Sequence, residues 1–389
     1  MKQLLPKLKQ LNSHLSFLRK SFTKRGFRHA TTYINGLIAL NRKTVKQISK
    51  ACAEGEDESS LNRILTGSKF KQEALQERYI SKVRHYSKGH KTSLIFDDTL
   101  VKREGRKVEE TQYHKNHCKG EEFIRGHQFF TSMIYTPLIQ LPLFPKLYSK
   151  NTDSKIQMAL DLIDFVMERM PLDTVIMDSW YSDKKIIKKC ITKGIRVVCA
   201  IKTNRLIAFE YGKWQQLSTF SKRMPKRALE LYLIDEKEYK IATFKVKLNG
   251  IPFVKMIASK QKQGKKYLRV RYLISTKKSD TPSEIIRYYE TRWVIETYHW
   301  DIKQHLGFAK LFLRKKEGIV RHAIFCSIAY VVLKLFMFLR GMDMTIGECI
   351  TYVQDREMDD FLEEIVEVEE KEERMKLFCE VFKRKSAEV

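Results

Sequence analysis

The chain has 389 residues, 74 Lys plus Arg against 46 Asp plus Glu, and a formal net charge of +28. That length allows two or three domains with a sizeable core, and the charge favours a polyanionic partner, nucleic acid ahead of a membrane surface. Abundant Tyr, Phe and Trp add stacking surface, while seven scattered Cys without a Cys-x-x-Cys pair argue against a disulfide framework and for a reducing compartment.

Residues 1–88 read as helices studded with basic residues. Leu4, Leu5, Leu8, Leu11, Leu15 and Leu18 recur at helical spacing. Further helices are expected over Thr31–Leu40, Thr44–Cys52 and Gln72–Tyr86. A short one through Ile64 and Leu65 is capped by Ser59 or Ser60 and ended by Gly67. A helix-turn-helix-like pair over 43–66 suits DNA binding on its charge; the alternative is a packing domain with basic solvent faces. Charges interrupt the N-terminal apolar pattern, so no signal peptide is expected.

From Thr92 the texture changes. Ser93–Phe96 is a short apolar strand that stops at Asp97-Asp98-Thr99, and a basic link, Lys102–Lys107, follows. Strands are expected over Phe129–Tyr135 and Leu141–Phe144, then a helix over Ser154–Met170. The strand Thr174–Met177 stops at Asp178, ahead of Ser179-Trp180-Tyr181. A helix over Lys184–Lys193, closed by Gly194, leads to a strand over Arg196–Ile201. Strands mixed with helices argue an α/β or α+β core. His114, His117, Cys118 and His127 lie close together but fit no zinc spacing and read as structural or DNA-facing.

Residues 202–280 form a β-rich insert. Leu229–Ile234, Tyr239–Leu248, Phe253–Ser259 and Tyr267–Ser275 read as strands, with a strong turn at Lys247-Leu-Asn-Gly-Ile-Pro. Helices resume at Ser283. Ala323–Leu339 is the most apolar segment; broken by Lys334, it is expected as a buried helix and not a membrane span. Asp355–Glu373 is acidic, as a solvated helix face or tail would be.

Tyr288–Gly307 carries more committed polar residues than a plain surface helix needs. At about 100° per residue, Tyr289, Arg292, Glu296 and Lys303 share a stripe about 60° wide. Ile295, Tyr298, Ile302 and Leu306 take another sector, suited to a core. Simple i,i+4 pairing of Arg292 with Glu296 on a solvated helix would give the same pattern. Ligands at the carboxyl ends of adjacent strands can converge, so Asp97 and Asp178 could share a divalent cation, with Glu296 as a third carboxylate. Asp at a strand end is also an ordinary turn residue.

These motifs resemble a cut-and-paste transposase of the insertion-sequence-four superfamily. Its Tyr-(2)-Arg-(3)-Glu-(6)-Lys signature is matched by Tyr289, Arg292, Glu296 and Lys303. Asp178-Ser-Trp-Tyr181 resembles the second-Asp motif, and Asp97-Asp98-Thr99 the first, an Asp-x-Thr after a strand. The resemblance covers residues 90–340. It implies an α/β, ribonuclease-H-like DDE core interrupted by the β-rich insert, behind an N-terminal helical DNA-binding domain. The domains are then 1–88 (DNA-binding), 89–201 (first part of the core), 202–280 (insert), 281–345 (remainder of the core, with the Glu helix) and 346–389 (acidic helical tail).

The resemblance further implies that Asp97, Asp178 and Glu296 are catalytic and hold two Mg²⁺ or Mn²⁺ ions. Asp98 is the alternative first ligand; Asp97 fits Asp-x-Thr. Tyr289, Arg292 and Lys303 then bind DNA. Partners are double-stranded DNA, both transposon ends and target, and a second copy of the chain; no membrane is expected. The setting is a prokaryotic cytoplasm at the nucleoid. Relatives form a DNA hairpin with a flipped base stacked on Trp, for which Trp180 and Trp214 are candidates, although packing is the commoner role. A domesticated DNA-binding regulator or a structure-selective nuclease on the same core are the alternatives.

Overall fold

The computed structural model describes residues 8, 11, 13–52, 57–67, 72–105, 107–115, 122–152, 154–210, 212–310 and 313–366. Leu4, Leu5, His117, Cys118 and the end of the acidic run, from residue 367, lie outside them. A 3₁₀ helix, Ser13–Ser21, is followed by α1 (Lys24–Ala39), α2 (Val45–Ala51), α3 (Glu58–Thr66) and α4 (Gln72–Ser87). Side-chain caps start three of these helices, each oxygen taking an otherwise orphaned backbone N–H. Thr23 accepts from Gly26 N, Thr44 from Gln47 N, and Asp57 from Ser60 N. Asp57 therefore caps α3 in place of the expected serines: Ser59 Oγ and Ser60 N both donate to its carboxylate, at 2.7 and 2.6 Å. The segment at Leu15 and Leu18 is 3₁₀ and not α, and both leucines are buried.

The chain continues with β1 (Ser93–Lys102), β2 (Gln112–Lys115), β3 (Phe123–Tyr135), β4 (Gln140–Tyr148), α5 (Lys155–Met167), β5 (Thr174–Met177), α6 (Lys184–Thr192) and β6 (Arg196–Ala200). Then come β7 (Leu206–Ala208), β8 (Gln215–Gln216), α7 (Leu217–Arg223), β9 (Glu230–Ile234), β10 (Lys237–Leu248), β11 (Ile251–Gln263), β12 (Lys266–Tyr267) and β13 (Arg271–Ser275). The last helices are α8 (Pro282–Glu290), α9 (Trp293–Gln304), α10 (Lys316–Leu339) and α11 (Ile346–Val366). Two compact units result: one takes residues up to Lys82, Val101–Gly126 and those from His299 onward, the other Val83–Leu100 and His127–Tyr298.

In the first unit, α10 is the core. It is long and apolar enough to cross a membrane, yet 83% of its most apolar window is buried, and α1, α3, α11 and the 3₁₀ helix pack on it. A helix apolar all round is stable only when enclosed this way. His322, deep in this helix, is paired at both ring nitrogens: Tyr33 Oη and His322 Nδ1 lie 2.8 Å apart, and His322 Nε2 is 3.2 Å from Gly307 O. Here β2 pairs antiparallel with the start of β3. Gly126 is needed there because a Cβ would sit 2.1 Å from Val101 O.

In the second unit one mixed sheet runs β3-β1-β5-β6-β13-β11-β10-β7-β8, with β4 on β3, β9 on β10 and β12 on β11. β1, β5 and β6 are parallel neighbours. The strands of residues 202–280 extend this same sheet, because β13 joins β6 antiparallel with Leu273 opposite Ala200. The turn expected after Lys247 is the β10–β11 hairpin, with Gly250 at φ 73°. α8 packs Ile285 and Ile286 against Val198, Ile257 and Leu273. Burying such side chains contributes about 1.5–3 kcal/mol each.

Two further expectations need correction. β1 does not stop at Asp97 but runs on to Lys102, because the acidic pair is accommodated within the strand, one residue on each face. The signature segment is not a single helix. α8 starts under Thr281, with Pro282 and a Thr281–Glu284 capping box, and ends at Glu290. Thr291 and Arg292 then form a tight turn whose bonds run i to i+3, Arg292 N to Tyr289 O and Ile295 N to Arg292 O.

Candidate active site

The parallel register sets the two aspartates side by side. Phe96 pairs with Met177 in the last step of the β1–β5 ladder, and the next residues are Asp97 and Asp178. Asp97 is largely enclosed. Its Oδ1 accepts the Asp98 N–H at 2.8 Å, and its Oδ2 accepts Arg292 Nη1 at 3.1 Å. Thr131 Oγ1 donates to its carbonyl at 3.0 Å, fixing the strand from the neighbouring β3. Burial, and then the charge of Asp178, push the Asp97 carboxyl up to about 7, against the pull of the Asp98 N–H and Arg292.

Asp178 follows β5 and opens a turn. Its Oδ1 accepts the N–H groups of Trp180 and Tyr181, at 2.9 and 3.1 Å. Asp98 faces the opposite side of the sheet. It accepts from Tyr181 Oη and Lys155 Nζ, each at 3.1 Å, and from Gln128 Nε2. The Asp97/Asp98 pair is thus divided: Asp97 faces Asp178 and Arg292, and Asp98 is absorbed in a polar network. That network reaches Asp178 through Tyr181, whose hydroxyl holds Asp98 and whose N–H holds Asp178.

Glu296 lies in the first turn of α9, and its Oε1 is ion-paired with Arg292 Nη2. One guanidinium therefore holds both Asp97 and Glu296. The i,i+4 pair is present, but it is half-enclosed and shared with a distant strand, not a feature of a solvated helix. Ile295, Tyr298, Ile302 and Leu306 are all fully buried, as their sector required. Tyr289 is buried in the α8 core, with the guanidinium carbons of Arg292 and Arg271 5.8 and 5.6 Å from its ring centroid. Lys303 sits in the last turn of α9, about two helical turns beyond Glu296; its residue falls in the first unit.

Among the described residues, no group of three His, Cys, Asp or Glu side chains is gathered to hold a metal ion. His114 and His127 are buried within β2 and β3. At the carboxylates a cation, Arg292, is lodged between Asp97 and Glu296. The donor chemistry nonetheless fits a hard divalent cation: three carboxylates, one of them held up to about 7 by enclosure and a like-charged neighbour. Trp180 and Trp214 are 40% and 50% exposed, so neither is a core packing residue, and Lys155 Nζ lies 4.1 Å from a Trp180 ring centroid. Composition and spacing do not single out the Asp98–Lys155–Gln128 network. Its only signal is the Asp doublet itself, whose second member must point away from the first.

Residues 88–332 match the family profile described as the transposase DDE domain, and residues 17–133 match that of the DDE superfamily endonuclease. The solved cryo-EM structure of a piggyBac transposase synaptic complex with hairpin DNA aligns over 96% of this chain and 81% of its own, at 11% identity and a TM-score of 0.47. No curated protein matches the chain in sequence. The first match takes in β1, β5 and α9 and spans well over half of the chain: the protein belongs to the DDE transposase family.

Proposed function

We propose that this chain is a cut-and-paste transposase of the insertion-sequence-four superfamily, which binds the ends of its own element and cleaves and rejoins DNA with Asp97, Asp178 and Glu296. What supports this reading is that one guanidinium, Arg292, pairs with both Asp97 and Glu296, while Asp97 and Asp178 follow paired residues of neighbouring strands. The order β4-β3-β1-β5-β6, with its last three strands parallel, supports a ribonuclease-H-like core.

DDE endonuclease domains use divalent metal ions. Two Mg²⁺ or Mn²⁺ held by Asp97, Asp178 and Glu296 would supply activation of the attacking oxygen and stabilisation of the leaving one. In the first reaction water attacks the phosphodiester at the element's end, and the P–O3′ bond breaks to leave a 3′-hydroxyl and a 5′-phosphate. In the second, that hydroxyl attacks a target phosphodiester and displaces its 3′-oxygen. The protein's own part is positional and electrostatic. Asp97 must give its proton to solvent and release Arg292 to act as a ligand. Arg292, once released, has the planar fork that suits a bidentate phosphate contact. Tyr289 walls its flank, and Trp180 is exposed beside Asp178 for stacking on an unpaired base; Lys303, the lysine of the signature, is a further proposed DNA contact. Two ends cut in concert call for two copies of the chain.

The test is cleavage of DNA carrying the inverted repeats that flank the coding sequence, with Mg²⁺. Glu296→Gln is expected to bind this DNA and leave it uncut; full activity of that variant would remove the assignment. The match to an endonuclease family favours a second reading, a nuclease that cuts without joining. A strand-transfer product formed on a target plasmid separates the two.

A further inference from the structure

Beside the carboxylates, β13, the end of β11 and α8 enclose a cleft whose walls include Tyr239, Arg269, Arg271, Tyr289 and Glu290. Its electrostatics are one-sided. Glu290 is already engaged, by Tyr239 Oη and by Lys237 Nζ at 3.2 Å. Arg269 and Arg271 are exposed, and among the described residues neither has a carboxylate partner. Arg271 leans on an aromatic wall, its guanidinium carbon 5.6 Å from the Tyr289 ring centroid.

That wall is shared. Arg292 lies 5.8 Å from the same ring and reaches from there to Asp97 and Glu296. Tyr289 thus separates two guanidiniums, one committed to the carboxylates and one open to solvent. Ser259 lies opposite Arg271 in the β11–β13 ladder and lines the same cleft, adding a neutral donor. A row of planar cations leading away from a phosphodiester-cutting site is the arrangement a nucleic-acid backbone needs: Arg forks match phosphate oxygens, and such pairing need not read sequence.

We propose that Arg271 and Arg269 bind the backbone phosphates of the DNA strand that flanks the reacting phosphodiester, with Tyr289 as the partition between this subsite and the carboxylates. The inference rests on the transposase reading and extends it by a binding subsite on β13 and the turn before it.

The test uses the full-length chain and a duplex carrying one element end, with affinity measured across a salt series. Removing one arginine–phosphate pairing should flatten the slope of log K against log salt by about 0.9. Arg271→Ala and Arg269→Ala are each expected to do so, their double variant by about twice that, and Arg271→Lys to keep the slope while weakening affinity. In a methylphosphonate scan of the duplex, neutralising one or two phosphates beside the cleavage position should weaken the wild type and leave the double alanine variant unaffected at those positions alone. An unchanged slope in the double variant, or an unchanged methylphosphonate pattern, overturns the inference. A wild-type chain that binds DNA but leaves it uncut overturns the proposed activity and not this subsite, which the slopes and the scan decide by themselves.

Discussion

Arg292 donates to Oδ2 of Asp97 at 3.1 Å, across 195 residues of chain. The same guanidinium holds Glu296, so it neutralises the carboxylates that a divalent cation would have to bind. Arg292→Ala removes a cation from the carboxylates and, on the proposed function, a phosphate fork from the DNA side. Mn²⁺ binding, followed by calorimetry, is therefore expected to be retained or tightened, while joining of a 3′ end to target DNA is lost. Loss of Mn²⁺ binding in this variant would mean that Arg292 organises the carboxylates and does not compete for them.

Asp97 itself should cost the metal-free protein stability. Its folded pKa of about 7 lies above its ordinary value of 3.8. The folded state therefore binds the proton more tightly, and stability falls as pH rises through that window, with the full cost present above pH 7. Asp97→Asn is expected to stabilise the metal-free chain at pH 8 by about 1 kcal/mol or more, seen as a melting temperature raised by about 2–4 °C. It should abolish cleavage at the same time, the trade expected where an enclosed carboxylate is kept for chemistry at the expense of stability.

Its neighbour should behave in the opposite way. Asp98 is the shared acceptor for Lys155, Tyr181 and Gln128, and the Lys155 side chain is only 9% exposed. Asp98→Ala strands that ammonium and should cost on the order of 3 kcal/mol. Asp98→Asn keeps an acceptor and is expected to fold. Since the network reaches Asp178 through Tyr181, the Asn variant should raise the Mn²⁺ concentration needed for half-maximal cleavage while leaving DNA affinity intact. An unchanged metal requirement would confine Asp98 to a structural role.

The first unit carries its own pH dependence. His322 is fully enclosed between Tyr33 and Gly307, and burial pulls its pKa down to about 4. The unfolded chain binds the proton more readily, so the contribution of neutral His322 is present above about pH 6.5 and is lost as pH falls toward 4. Denaturant unfolding of wild type and His322→Gln should show the wild-type advantage shrinking across that window, by up to roughly 3 kcal/mol. A constant difference would show that the folded protein accepts the charge.

Much of this architecture is legible in the residues alone. Thr174–Met177 ending at Asp178, the Lys184 helix closed near Gly194 and the buried stripe of Ile295, Tyr298, Ile302 and Leu306 all follow from local rules, apolar runs bounded by turn residues. What escapes depends on partners distant in sequence. β1 continues past an acidic pair because Lys155, 57 residues away, satisfies Asp98, and no local pattern announces that. The turn at Thr291–Arg292 contains neither Gly nor Pro, so continuous periodicity conceals it. Asp57 wins the α3 cap over two serines because its carboxylate serves both of them as well as the backbone.

The way β13 closes on β6 sets limits on engineering and on descent. A segment hung from a core by two linkers can be trimmed or swapped; this one cannot. Excising the chain between Lys202 and Asp280 would strip β6 of its antiparallel neighbour and bare a run of apolar backbone, Val197 to Ala200, to any passing strand. A miniaturised variant would have to supply a replacement edge, such as a lysine-bearing strand or a covering helix, before its chemistry could be assayed at all.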